Sequence, residues 1–139
     1  MSSSISHTYE SYIAEIQEYL YHIMDFVVAQ EAVVRSQNET YTLLTLHDKF
    51  QSYFELLDML WEIHSDSLLD SSEYPSHICS SYLLASLHSH IIYNGFKKKK
   101  NLAISLYLKT LKPYLMILDS WWTENYRLID YKDEFLVQK

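Results

Sequence analysis

Apolar residues recur at alternating steps of three and four along four long segments of this chain, and no other feature restricts the fold as strongly. Such steps place side chains on one face of an α-helix. The 139 residues include a single glycine and two prolines, whereas tight β-hairpins depend on turn glycines. We therefore expect an all-α fold, an antiparallel bundle of about four long helices.

Threonine caps are expected to begin the first two helices. Residues 1–7 are polar and are predicted to be disordered, and Thr8 then caps a helix that runs to Ser36, about 42 Å at about 1.5 Å per residue. Thr40 caps a second helix that ends around Ser67. The stripes expected to face the core are Ile13, Ile16, Leu20, Ile23, Val27, Gln30 and Val34 in the first helix, and Leu43, Leu46, Phe50, Tyr53, Leu57, Leu60 and His64 in the second.

Two prolines and the glycine mark the other two helices. Pro75 suits the first turn of the third helix, because its missing N–H is not needed there. Gly95 is expected to supply a left-handed cap after that helix. Pro113 lies inside the fourth pattern and predicts a kinked last helix, followed by an extended C-terminal tail over residues 128–139. The predicted core stripes are Ile78, Tyr82, Leu83, Leu87 and Ile91, then Ile104, Leu108, Leu111, Leu115, Leu118 and Trp122.

Charge is distributed unevenly along the chain. Residues 1–70 contain 12 acidic and 2 basic side chains, a net charge of −10, and residues 71–139 contain 6 and 9, a net charge of +3. Either the two halves neutralise each other inside one bundle, or one molecule stacks beside another copy or homologue. The only basic cluster is a possible interface, or equally a solubilising loop, and consists of Lys97, Lys98, Lys99 and Lys100.

No arrangement typical of an enzyme or a metal site appears in the sequence. One glycine cannot build a phosphate-binding loop, the histidines lack metal-ligand spacing, and Cys79 has no cysteine partner. We therefore expect no catalytic residues, no cofactor and no metal. His64 is expected to be a hydrogen-bonded histidine at the edge of the core, and the adjacent carboxylates Asp133 and Glu134 to belong to a solvated tail. Nucleic-acid binding, a membrane span and a signal peptide are not expected.

Trp121 and Trp122 cannot both face the core, because adjacent helical positions are about 100° apart. Trp122 continues the apolar stripe and is expected in the core. Trp121 is expected either to pack on the C-terminal tail or to anchor an interface, where tryptophan is enriched.

The segment KTLKPYLMILDSWWTENYRLIDYKDEFLVQ resembles the end of the N-terminal Grip domain of gamma-tubulin complex components. That family carries Pro-Tyr in a long helix and then an aromatic-rich segment with Asp and Glu-Phe. TLLTLHDKFQSYFELLDML and SSYLLASLHSHIIYN resemble the preceding helices of component 5. The resemblance covers about residues 12–138, and the matching motif positions are Pro113, Tyr114, Trp121 or Trp122, Asp130, Glu134 and Phe135.

Two departures from the family pattern are evident. Asn125 and Tyr126 stand where the family usually has glycine, and asparagine also tolerates the left-handed conformation of a helix cap. One extra residue separates Pro-Tyr from the Asp, which leaves the pairing of the two tryptophans open. The C-terminal Grip domain of the family is expected to be absent from residues 1–139, which are expected to form one helical segment of the N-terminal domain.

The resemblance implies a structural role in a gamma-tubulin complex. It implies lateral packing against other components in the template for microtubule nucleation, with gamma-tubulin contacted only indirectly, through the C-terminal domain. It also implies a location in the cytoplasm and cytoskeleton at a microtubule-organising centre or spindle pole. The alternative is a free-standing helical adaptor that binds a partner helix in a groove.

Overall fold

Four helices make up most of the part of the chain that the computed structural model describes, namely residues 5–36, 41–124, 130 and 132–135. The helices are α1 (His7–Ser36), α2 (Leu43–Ser67), α3 (Ser76–Tyr93) and α4 (Lys97–Thr123). The described residues include no strand. The predicted all-α bundle of four helices is therefore confirmed.

Contacts between side chains show how the helices are arranged. Tyr12 near the start of α1 lies against His64 near the end of α2, and Phe26 farther along α1 stacks on Tyr53. These two helices are therefore antiparallel. α4 packs extensively on both α1 and α3, whereas α2 packs mainly on α3. As a result, α2 is the most peripheral helix of the bundle.

The core lies where the first half of α1 and the end of α2 meet α3 and α4. Burial raises the pKa of the Tyr9 hydroxyl to about 12, and it also raises the pKa of Tyr12. Within the predicted stripe of α3, Leu83 and Leu87 are buried, while Ile78 and Tyr82 are exposed. The buried cluster consists of Tyr9, Tyr12, Leu60, Ile63, Cys79, Leu83, Leu87, Leu102, Ala103 and Leu106.

Ser6, and not Thr8, caps the first helix. Its Oγ accepts a hydrogen bond from the Tyr9 N–H at 3.2 Å, which satisfies one of the free donors at the helix start. Ser80 of α3 donates to the same Oγ at 3.1 Å. The predicted disorder therefore does not extend to Ser6, which is buried, whereas residues 1–4 lie outside the described residues.

The boundaries of α2 and α3 differ from the prediction at two positions. Thr42 caps α2 by accepting from the Thr45 N–H at 3.2 Å, two residues after the predicted Thr40, which lies outside the described residues. α3 ends at Tyr93 with an extended cap, and Gly95 does not have positive φ. The left-handed cap predicted at Gly95 is therefore wrong. Ser67 ends α2 as predicted.

α4 continues through Pro113 as one helix. Proline lacks an N–H, so the helix loses one backbone hydrogen bond there, but packing against α1 and α3 stabilises α4. The prediction of one helix rather than two is confirmed, while the kink itself stays a prediction. Lys97–Lys100 form the first turn of α4, so their interpretation as a loop is wrong.

Candidate interaction surfaces

Phe135 brings together the aromatic residues of the C-terminal motif. Its ring centroid lies 5.1 Å from that of Tyr114 and 6.2 Å from that of Trp121, and the residue is buried. The prediction that Trp121 packs on the tail is confirmed. The prediction that Trp122 lies in the core is wrong, because Trp122 is 65% exposed.

Asp130 organises the turn that positions Phe135. One carboxylate oxygen accepts the Lys132 N–H at 3.3 Å and the other accepts the Phe135 N–H at 2.9 Å. Asp133 between them has φ of 48°, the left-handed region that aspartate tolerates better than most residues. The described part of the tail is therefore a turn. The rest of the predicted extended tail lies outside the described residues, and so do Asn125 and Tyr126 before it.

Glu134 and Lys132 fasten this turn to the start of α1. The buried Glu134 carboxylate accepts the Thr8 N–H at 3.0 Å, where the helix dipole favours a negative charge. Lys132 Nζ donates to the Ile5 carbonyl at 2.6 Å and to Glu10 at 2.8 Å, and this hydrogen bond lowers the pKa of the Glu10 carboxyl. The expectation of a solvated tail is therefore wrong for Glu134. We call Asp130, Lys132, Glu134 and Phe135 the tail cluster.

The carboxylates of the C-terminal motif have structural roles in the tail cluster. The Asp130 carboxylate accepts two backbone N–H bonds within its own turn.

Nothing in the sequence indicated that Lys132 and Ser6 would join the N-terminal end of α1 to other elements. Both contacts span more than 70 residues along the chain, so no local pattern reports them.

The basic cluster is divided between internal ion pairs and solvent. Lys99 is buried and forms an ion pair with Glu62 of α2, which lowers the pKa of the Glu62 carboxyl. Lys98 lies 3.6 Å from Glu55. Lys97 and Lys100 are exposed and form no ion pair with any residue that the structure describes. Part of the charge asymmetry is thus neutralised inside the bundle.

A polar cleft of about 770 Å³ lies at the surface where α2 meets α3. Its charged groups face one another, since His90 lies 3.5 Å from Asp66 and Lys99 pairs with Glu62. On the other side of α2, His64 Nδ1 lies 3.3 Å from the Tyr12 hydroxyl, which confirms it as a hydrogen-bonded histidine at the core edge. Among the described residues, no group of three His, Cys, Asp or Glu side chains is arranged to hold a metal ion.

The stripe predicted to be the core face of α1 is largely exposed. Tyr12 and Tyr19, rather than Leu20, point toward the other helices: Tyr12 is fully buried, and Tyr19 donates to Ser105 of α4 at 3.0 Å. The residues left outside are spaced by seven and are between 39% and 46% exposed. We call them the α1 outer stripe, which consists of Ile13, Leu20, Val27 and Val34.

An apolar groove runs beside this stripe, between α1 and α2. Its volume is about 440 Å³, and Trp61 at its rim is 70% exposed. Asp58 is the acidic residue among its lining side chains. We call this feature the α1–α2 groove, and it is lined by Ile16, Leu20, Leu57, Asp58, Leu60, Trp61 and His64.

On α4, as on α1, residues predicted to face the core are exposed. Leu108, Leu115 and Trp122 were predicted to be core residues, yet they are 61%, 47% and 65% exposed. The buried face of α4 is instead formed by residues that include Leu106 and Thr110. We call the three exposed residues the α4 outer stripe; they too are spaced by seven.

Comparison with known protein families agrees with the shape and the motif. The sequence model described as "Gamma tubulin complex component N-terminal" matches residues 1–139. No helix in the described part of the chain is long and apolar enough to cross a membrane. With a helical bundle, the Pro-Tyr helix and the Asp–Glu–Phe tail all present, the chain belongs to the gamma-tubulin complex component family, whose members act in microtubule nucleation.

Proposed function

We propose that this chain is a structural component of a gamma-tubulin complex and contributes lateral packing between components in the template for microtubule growth. The observation that carries the proposal is the pair of exposed, heptad-spaced stripes on α1 and α4. Several large apolar side chains exposed along one face of a helix are typical of an interaction surface. The family match supports the complex in which that interface would be used.

The proposal assigns partners and location. Other gamma-tubulin complex components are the lateral neighbours, and residues 1–139 make no direct contact with gamma-tubulin. The site of action is the cytoplasmic cytoskeleton, at microtubule-organising centres. Within the family we propose a relationship to component 5, because the α2 and α3 sequences resemble it. We propose no catalytic role, since the family domain is a scaffold and the motif carboxylates are used in the tail cluster.

A co-sedimentation experiment tests this function. The purified chain is mixed with the other purified components and, separately, with gamma-tubulin alone, and each mixture is run on a density gradient. We expect the chain to migrate with the components and to remain separate from gamma-tubulin. Binding to gamma-tubulin alone, without any of the components, would contradict the proposal.

The α1–α2 groove favours a second candidate function, that of an adaptor for a partner helix. A groove of about 440 Å³ with an exposed tryptophan at its rim suits the apolar face of an amphipathic helix. An adaptor would be a monomer that does not enter complexes with family members. The same gradients therefore separate the two functions.

A further inference from the structure

We infer that the α4 outer stripe of one molecule packs into the α1–α2 groove of a second copy of this chain. The inference rests on the proposed lateral packing and names the two faces that meet. It follows from spacing, shape and charge, each of which is a separate property of the described residues.

The spacing places the exposed apolar residues of α1 and of α4 in one row on each helix. Ile13, Leu20, Val27 and Val34 are seven residues apart in turn, and so are Leu108, Leu115 and Trp122. Positions seven apart return to the same face of a helix within about 20°, so each set forms a single row along its helix. Both repeats lie outside the core of this molecule, so their partners are expected on another molecule.

The shape of the two surfaces is complementary. The α1–α2 groove is a concave apolar surface between two antiparallel helices, and the α4 outer stripe is a convex row of two leucines and a tryptophan. Residues at intervals of seven lie on one face of a helix and can enter such a groove together. Trp61 and Trp122, both largely exposed, are the side-chain type most enriched among interface anchors.

The charges of the two surfaces are opposite. α1 and α2 each contain five acidic residues and one basic residue, whereas α4 contains six lysines and one aspartate. Asp58 lines the groove and Lys112 lies beside the α4 outer stripe, and neither forms an ion pair with a described residue. Opposite charges on two faces direct them toward each other and fix their register.

The lysines at the start of α4 strengthen this argument. A cluster of positive charge at a helix N-terminus opposes the helix dipole, and α4 has no acidic residue in its first turn. The ion pairs of Lys98 and Lys99 offset only part of this cost, because Lys97 and Lys100 have no such partner among the described residues. An acidic surface on a second copy would supply the missing partners.

The two surfaces share no residue, so one molecule can use both at once. A contact between two different faces of identical molecules is heterologous, and it produces a row or a ring rather than a closed two-fold dimer. Pairing of α4 with α4, or of α1 with α1, would instead stop at a dimer. The size of the assembly therefore distinguishes the inferred contact from these two alternatives.

Analytical ultracentrifugation of the full chain tests the inference. Leu115→Glu disables the α4 outer stripe and Leu20→Glu disables the groove, and both positions are exposed enough for a glutamate to leave the fold intact, which circular dichroism verifies. Ile92→Glu is the matched control, because Ile92 is an exposed apolar residue of α3 outside both surfaces. Loss of a central apolar anchor is expected to weaken association by about 30-fold or more.

The expected pattern is specific to a heterologous contact. Wild type and Ile92→Glu associate beyond a dimer as concentration rises, and Leu115→Glu and Leu20→Glu alone do not associate. An equimolar mixture of these two variants forms a dimer and stops there, since one molecule supplies an intact groove and the other an intact stripe. Lys112→Glu weakens wild-type association and reduces its salt dependence.

Several results would overturn the inference, and they differ from the result that would overturn the proposed function. Self-association by either variant alone, or a monomeric mixture, would show that these two faces do not pair. A wild-type chain that stays monomeric at about 100 μM, where micromolar affinities are readily detected, would exclude a second copy. If Leu20→Glu or Leu115→Glu then also releases the chain from complexes with other components, the second-copy inference is wrong while the proposed function stands. A chain that joins no such complex overturns the proposed function itself.

Discussion

Replacing Phe135 with alanine tests whether the tail cluster stabilises the bundle. The Phe135 ring is buried between Tyr114 and Trp121, with only 5% of the residue exposed. Removal of a fully packed phenylalanine ring costs about 3–5 kcal/mol. Trp121 is itself half-buried and can partly fill the space, so we expect the lower value, about 3 kcal/mol. That is a large part of the roughly 5–15 kcal/mol that stabilises a typical domain.

Urea unfolding followed by circular dichroism and tryptophan fluorescence measures this loss. With a urea dependence of about 2 kcal/mol per molar, usual for a domain of this size, the unfolding midpoint should fall by about 1.5 M. Native fluorescence should also shift to the red, because Trp121 loses its cover. Trp61 and Trp122 are already largely exposed, so they contribute little to that shift.

Trp122→Ala provides the matched control on the neighbouring position. The Trp122 side chain lies mostly in solvent, and exposed substitutions usually change stability by less than about 0.5 kcal/mol. If Phe135→Ala also changed the unfolding free energy by less than about 0.5 kcal/mol, the tail cluster would not stabilise the bundle. Equal losses from both variants would show that the assignment of Trp122 to solvent is wrong.

Three further predictions concern the helix ends and the buried tyrosines. Ser6→Ala should lower the unfolding free energy by about 1 kcal/mol, the usual value of a lost N-cap, and an unchanged urea midpoint would contradict the cap. Gly95→Ala should raise it by about 0.4–1 kcal/mol, since the added methyl group meets nothing within 4 Å and φ is not positive; destabilisation would contradict this. The pKa of Tyr9 is raised from 10.0 to about 12 in the folded chain. The contribution of this group to stability is therefore complete below pH 10 and is lost progressively as the pH rises toward 12. Circular dichroism should therefore show alkaline unfolding in that interval, shifted in Tyr9→Phe, and a helical signal constant to pH 12 would contradict it.

The sequence was sufficient for the number and type of elements. Alternation of three and four, with scarce glycine, predicted four helices, and Ser67 and Tyr93 end α2 and α3 within about two residues of expectation. These features depend on local geometry, which a helix expresses regardless of its neighbours. Packing of the tail on Trp121 was one of two alternatives that the sequence left open, because Trp121 lies about 100° away from the stripe that includes Trp122.

The orientation of α1 and α4 was not predictable from periodicity. Each helix carries two adjacent stripes that both fit a helical period. On α1 one is aliphatic and the other includes Tyr12 and Tyr19, whereas on α4 the buried stripe is itself partly aliphatic, with Leu102 and Leu106. The aliphatic stripe is the more hydrophobic, yet Tyr12 and Tyr19 face inward because their hydroxyls find partners in His64 and Ser105. Hydrophobicity alone ranks the stripes in the opposite order, and only the tertiary partners decide between them.

The hydrogen bond between Thr8 and Glu134 joins residues 126 positions apart, and this separation has a consequence for folding kinetics. Closing so long a loop is entropically costly and is compensated only after the helices have assembled. We therefore expect the tail cluster to form after the rate-limiting step, so that Phe135→Ala accelerates unfolding and leaves the refolding rate nearly unchanged. In a cell, this contact would determine how long the assembled bundle persists rather than how quickly it forms.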